Sequence, residues 1–372
     1  MRNIVICCDG TANEFAFDRT NVLKLCGVLR QDEAQIVYYQ PGLGTMEPPG
    51  ALTQVARRVT RLLGRAIGYG LADDVRDAYT FLMNNHRPGD RVFLFGYSRG
   101  AYTVRAVAAL VRMYGLLPAG NDPLVPYAIR LLMGVNDADA DADPERSPFR
   151  LADEFRATLV QRPCSIHFLG VWDTVASVGW ISNPLRLPYT ASNVIVRTAR
   201  HAVAIDERRA FFRTNLLKRL PERLAARQDL KQVWFAGVHG DVGGGYPEKD
   251  SGLSKLALQW MVEEAAAHGL AVDPDRLDKA LGVSDTNQAR PDPDAGMHRS
   301  LRRLWWLAEI VPKKSFATGR WRINLARRRD MGRAPLVGLR AQGLRRRPAE
   351  GCGDGRRAAG RGQMTPHSSR AK

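Results

Sequence analysis

No uninterrupted apolar run in this chain of 372 residues approaches the roughly 20 residues that a membrane-crossing helix requires. The N-terminus enters a strand-like Asn3-Ile-Val-Ile-Cys-Cys8 without the layout of a signal peptide. The mature chain is therefore expected to start at Met1 and to be made in the cytoplasm, and any export would use a secretion system that needs no signal peptide. Cysteine is scarce. Cys7, Cys8, Cys26, Cys164 and Cys352 are odd in number and lack paired spacing, which argues against a disulfide framework and a zinc site. Cys7 and Cys8 lie inside an apolar run, where reduced, packed thiols are expected. No internal repeat is present.

Three other signatures each lack a decisive residue. Gly243-Gly-Gly245 has no Lys-Ser/Thr ending, so it is no P-loop, and flexibility beside His239 is expected instead. Cys8-Asp9-Gly10-Thr11 resembles an aspartyl-phosphate loop, but Cys7 stands where the nucleophilic aspartate belongs. Asp137-Ala-Asp-Ala-Asp-Ala-Asp143 alternates carboxylates without the glycine and terminal glutamate of a calcium loop. No metal or cofactor is therefore expected. The polar segment 121–148 that contains this run is expected to be a solvated insertion forming a lid or cap.

What is present is a chain 45% hydrophobic, long enough to bury a large core. Its net charge of +17 points at first to an anionic partner, yet residues 331–372 hold ten Lys/Arg against two Asp/Glu, about half of that excess. This Arg/Gly/Ala-rich tail is expected to be disordered. It has no Phe, Tyr or Trp for base stacking, so specific nucleic-acid binding is not expected.

Strands are predicted near 3–8, 35–39, 91–97, 165–172 and 232–238 from their β-branched and aromatic content. Helices are predicted over 21–29, 70–85, 101–114, 151–159, 193–205 and 253–268. Such alternation predicts an α/β fold with a predominantly parallel sheet and helices on both faces.

The most informative stretch is Arg91-Val-Phe-Leu-Phe-Gly-Tyr-Ser-Arg-Gly100. An apolar strand ends in Gly96-x-Ser98-x-Gly100 and a helical pattern follows, the context of a nucleophile elbow. A serine hydroxyl needs a base and an acid that orients the base. Gly170-Val-Trp-Asp173 puts a carboxylate after one predicted strand, and Trp234-Phe-Ala-Gly-Val-His239 puts an imidazole after another. In a parallel sheet those strand ends share one edge, so Ser98, Asp173 and His239 can converge. Asp241 and Asp206 are the alternative acids. His201, within a predicted helix, is the reserve base. An oxyanion formed at Ser98 needs backbone N–H donors, expected from Arg99 and from Gly10 or Thr11.

The motifs Cys8-Asp-Gly-Thr11, Arg19-Thr-Asn-Val22, Gly96-Tyr-Ser-Arg-Gly-Ala-Tyr-Thr103, Gly170-Val-Trp-Asp-Thr-Val175, Arg200-His-Ala-Val-Ala-Ile-Asp-Glu-Arg208 and Gly237-Val-His-Gly-Asp-Val-Gly-Gly-Gly-Tyr246 together resemble the α/β-hydrolase family that includes the catalytic domains of type VI secretion phospholipase effectors. The resemblance covers about residues 1–330 and implies a catalytic domain there, a Ser98–Asp173–His239 triad and esterase or phospholipase A chemistry. It implies a lipid or other ester substrate and transient contact with a membrane surface. Past Trp305-Trp306 and Arg327-Arg-Arg-Asp330 the tail replaces the His-containing segment that the resemblance would continue into, as a frame change in a GC-rich gene would produce. The competing expectation is a noncatalytic basic module that binds surfaces on a hydrolase scaffold.

Overall fold

The computed structural model describes residues 1–10, 18–42, 70–135, 147–160, 163–175, 179–180, 183–184, 187–210 and 212–301, with isolated positions between 306 and 329. Thr11, the acidic run from Asp137 to Asp143 and the tail 331–372 lie outside them.

Six strands form one sheet: β1 (Asn3–Cys8), β2 (Gln35–Gln40), β3 (Arg91–Tyr97), β4 (Ile166–Trp172), β5 (Val196–Ala204) and β6 (Asp229–Phe235). Their order is β2-β1-β3-β4-β5-β6, and every neighbouring pair is parallel. The main helices are α1 (Asn21–Val28), α2 (Leu71–Asn85), α3 (Arg99–Tyr114), α4 (Val125–Met133), α5 (Pro148–Leu159), the short α6 (His239–Gly243), α7 (Gly252–Ala267) and α8 (Pro274–Ala280). This is the predominantly parallel sheet with helices on both faces expected from the alternation of elements, and the α/β-hydrolase-like architecture that the resemblance implies.

Side chains alternate across the sheet because successive Cβ atoms point to opposite faces. Ile4, Ile6, Val92 and Leu94 pack with α2, α3, α4 and α5, while Val5, Cys7, Phe93 and Phe95 pack with α1 and α7. Both faces are buried, so β1 and β3 read as continuous apolar runs. Each fully buried Ile, Val or Phe contributes on the order of 1.5–3 kcal/mol of transfer free energy. Cys7 and Cys8 sit in this core as free thiols.

Two expectations fail here. Residues 193–205, predicted helical, contain strand β5, hydrogen-bonded between β4 and β6. Both of its sheet faces are covered, and Thr198, Arg200 and His201 are buried along with the apolar residues, so no polar/apolar alternation marks it as a strand and periodicity cannot separate it from a buried helix. The strand predicted at 232–238 runs instead over Asp229–Phe235, since Gly237 turns the chain with φ of +106°. The described residues that follow α3 include α4, which buries Val125, Ala128, Ile129 and Leu132, while the acidic run expected to be solvated lies outside the described residues.

Candidate active site

Strand β3 delivers Ser98 directly into α3, and Ser98 takes φ 57° and ψ −117°. Its amide extends the sheet ladder by donating to the Trp172 carbonyl at 3.0 Å. A turn this sharp brings backbones together, and the flanking glycines show how closely. A Cβ on Gly96 would lie 2.4 Å from the Gly100 carbonyl oxygen, and one on Gly100 would lie 2.2 Å from that of Cys8. The loop after β1 therefore packs directly on the elbow. We expect Gly100→Ala to lower stability by about 3 kcal/mol, the upper end of overpacking costs, because the obstruction is backbone. Urea unfolding of the variant beside the wild type checks this.

Asp173 follows β4, and His239 opens α6 after β6. Asp173 adopts φ 37°, a left-handed conformation uncommon for a non-glycine residue. Its amide is held by the Ala202 carbonyl at 2.7 Å, and its Oδ1 accepts from the Ala204 amide at 3.0 Å. The carboxylate is thus aimed along the sheet edge. His239 Nδ1 lies 2.6 Å from Asp173 Oδ2, and His239 Nε2 lies 2.8 Å from Ser98 Oγ. Asp173 is wholly buried, whereas Ser98 retains 9% exposure. The three side chains form one hydrogen-bonded relay, with its serine end nearest solvent.

The imidazole is fixed by rings. Tyr97 stacks on His239 with centroids 4.7 Å apart, and Phe212 meets it edge-on at 4.8 Å. Tyr97 also donates its hydroxyl to the His239 carbonyl at 3.2 Å. The His239 amide donates to Glu207 Oε2 at 3.2 Å, and the buried Glu207 carboxylate is paired with Arg209 at 2.9 Å. Burial works against ionisation of Glu207, but Arg209 outweighs it and holds the carboxyl down at about 2.

Burial also opposes charge on Asp173, but the Arg329 guanidinium and the bond to His239 prevail, leaving its pKa well below the usual carboxylate range. For His239, burial lowers the pKa and Asp173 restores only part of the loss. The arrangement therefore combines an ionised acid with a neutral base facing a hydroxyl.

Neither alternative acid touches His239. Asp241 Oδ2 accepts the Val238 amide at 3.0 Å, and its Oδ1 meets His298 Nδ1 at 2.6 Å, so it caps the first turn of α6. Asp206 Oδ2 accepts the Gly237 amide at 2.9 Å and shapes the turn leading to His239. His201 lies on β5, fully buried; its Nε2 accepts the Thr174 amide at 3.2 Å, and Nδ1 meets Gln232 Oε1 at 3.1 Å. Burial pulls its pKa down to about 3, so it is a neutral structural group.

The loop after β1 shows a further difference. The Gly10 amide, expected to face an oxyanion, donates to Asp9 Oδ1 at 2.7 Å. Asp9 Oδ2 in turn accepts the hydroxyls of Thr20 at 2.5 Å and Tyr39 at 3.1 Å. Arg99 stands where expected, at the first position of α3.

Among the described residues no cluster of three His, Cys, Asp or Glu side chains could hold a metal ion. None of the described helices is long and apolar enough to cross a membrane.

Residues 2–264 match the family model for the catalytic domain of Tle1-like phospholipase effectors of the type VI secretion system. The chain belongs to this family. It is also 36% identical over 223 residues to an uncharacterized protein of Saccharomyces cerevisiae, covering 57% of this chain and 32% of that one. Similar solved structures include an uncharacterized protein from Pseudomonas aeruginosa, at 20% identity and TM-score 0.41, covering 74% of this chain and 47% of that one. The Tle1 effector bound to the VgrG spike of the type 6 secretion system is similar at 20% identity and TM-score 0.37, covering 68% of this chain and 52% of that one. The chain thus spans about half the length of these solved structures and about a third of the yeast relative.

Two features of this Tle1-like domain explain motifs with no evident role in the sequence. Arg19-Thr-Asn-Val22 anchors the histidine loop: Asn21 Nδ2 donates to the Val242 carbonyl at 2.9 Å, and the Gly245 amide donates to the Arg19 carbonyl at 3.2 Å. The glycine run serves packing, where flexibility was expected. A Cβ on Gly243 would lie 1.8 Å from the Tyr97 ring, so only glycine lets α6 close on the ring that stacks against His239.

Proposed function

We propose that this Tle1-like domain is a serine hydrolase that cleaves carboxylic esters of phospholipids, with phospholipase A chemistry, through an acyl-enzyme at Ser98. The observation that carries this is the relay from Ser98 Oγ to His239 Nε2, at 2.8 Å, and from His239 Nδ1 to Asp173 Oδ2, at 2.6 Å. Membership of a phospholipase effector family supports lipid as the acyl donor.

In the first half-reaction His239 Nε2 takes the Ser98 proton as Oγ attacks the ester carbonyl. Asp173 stabilises the imidazolium. The negative oxygen of the tetrahedral intermediate is received by the Arg99 amide at the start of α3, with the loop after β1 as the source of a second donor, for which Thr11 is the remaining candidate. Collapse expels the alcohol, protonated by His239. In the second half-reaction His239 takes a proton from water, which attacks the acyl-enzyme and releases the fatty acid. All of these residues lie within 1–330, which we take as the catalytic domain, with 331–372 outside it.

The test is a panel of phospholipid vesicles and simple acyl esters, with free fatty acid and lysophospholipid measured against Ser98→Ala. Release by the wild type alone supports the proposal; a folded wild type that binds vesicles and releases nothing favours a noncatalytic surface-binding module.

The base must be neutral to act, so kcat/KM falls as pH drops through the folded pKa of His239. Because burial sets that value below the ordinary histidine range, the acid limb is expected to have its midpoint below about pH 6.5. A pH-rate profile on a soluble ester measures it.

A further inference from the structure

Asp173 carries more than a triad requires. The Arg329 guanidinium spans its carboxylate, with one nitrogen 2.5 Å from Oδ1 and the other 3.0 Å from Oδ2. The same two nitrogens donate to the Ala204 carbonyl at 2.9 Å and the Phe212 carbonyl at 2.8 Å. The Arg329 side chain is 7% exposed and that of Asp173 fully buried. Four acceptors fix the plane of the fork, and a planar two-pronged donor fixes the plane of the carboxylate it grips. Oδ2 is thereby turned toward His239 Nδ1.

We propose that Arg329 is a positioning residue of the triad: it holds the Asp173 carboxylate in the orientation that meets His239, and its fixed charge weakens that carboxylate's grip on an imidazolium proton. The inference rests on the serine-hydrolase reading above.

The electrostatic part follows from what surrounds the pair. Glu207 and Arg209, from the segment after β5, face His239 with opposite charges. Tyr97 from β3 stacks on the imidazole, and its burial pushes its phenol pKa up, so it remains neutral. On the far side of Asp173, His201 from β5 is neutral. The charge of Arg105 on α3 acts on that histidine, and the Arg105 guanidinium is held by the Thr190 and Asn215 carbonyls. Among the described residues Arg329 is thus the cation in direct contact with the acid, and at a few ångströms its charge opposes the pull of the carboxylate on an imidazolium. Removing it leaves Asp173 a fuller negative charge for the imidazolium, so the proton is held to higher pH.

The experiment compares full-length Arg329→Gln and Arg329→Lys with the wild type, reading kcat and KM for a soluble ester from pH 4.5 to 9 together with thermal melting. Gln is expected to lower kcat about 10- to 100-fold at pH 8 with little change in KM, and to move the acid limb up by about one pH unit. Lys keeps the charge and loses the fork, so its limb should stay in place while kcat falls several-fold. A folded Gln variant with a lowered melting temperature and an unmoved limb would show a merely structural role and overturn the proposal. If Gln does not fold, Lys decides, because wild-type kcat in that variant would show that the fork positions nothing. A wild type without any turnover would sink the serine-hydrolase reading and this inference with it, whereas turnover unaffected by either variant would sink this inference alone.

Discussion

Ser98→Ala should fold like the wild type and lose turnover by roughly six orders of magnitude, the scale seen when a nucleophile is removed from a serine triad. The elbow does not depend on the hydroxyl: its geometry is held by the Ser98 amide on Trp172 and by the glycine contacts at 96 and 100. What disappears is the atom that forms the acyl-enzyme. Circular dichroism and urea unfolding establish the fold, and ester hydrolysis reports the rate. Turnover near wild type in a folded Ser98→Ala protein would remove the basis for a covalent mechanism.

The second large effect separates two acids that the sequence left in competition. Asp173→Asn should lower kcat about 10⁴-fold, because an amide presents the wrong group to Nδ1 and cannot stabilise the imidazolium. It also leaves Arg329 buried without its countercharge, so a stability loss of about 3–5 kcal/mol is expected alongside the kinetic one. Asp241→Asn should stay within about tenfold of wild type, since asparagine can still accept the Val238 amide and cap α6. Measured on the same ester, a collapsed Asp241→Asn rate beside near-normal Asp173→Asn activity would reverse the assignment.

Much of this site was legible because its parts are local. The elbow is written in Gly96, Ser98 and Gly100 within five residues, and Asp173 and His239 each follow a strand whose last residues are apolar, Leu169-Gly-Val-Trp172 and Val233-Trp-Phe235. Parallel topology then places those ends on one edge. What the sequence hid is non-local. Strand β5 looked helical because burial on both faces erases the alternation that marks a strand. Asp206 and Glu207 are adjacent acidic residues in the sequence, and nothing there distinguishes the one that accepts the His239 amide from the one that holds Gly237. Gly10 carried the right motif position, yet Asp9 claims its amide. Arg329 is the clearest case. It is one of 55 Lys and Arg residues, inside a basic triplet, and its contact with Asp173 spans 156 positions, which no short-range pattern encodes.

The histidine loop teaches the opposite lesson about glycine. A run of three invites a reading of mobility, but Gly243 and Gly244 are where the chain passes closest to Tyr97 and to the residues around Thr20. Close packing of backbone against ring and backbone needs the missing side chain as much as flexibility does.

Covalent labelling with a fluorophosphonate, followed by intact mass and peptide mapping, probes whether Ser98 is an activated nucleophile without requiring that the substrate be known. One adduct per chain, located on Ser98, absent from Ser98→Ala and formed far more slowly by Asp173→Asn, is the predicted result. A folded protein that takes no label, or takes it at another residue while Ser98 stays unmodified, would contradict the proposed mechanism.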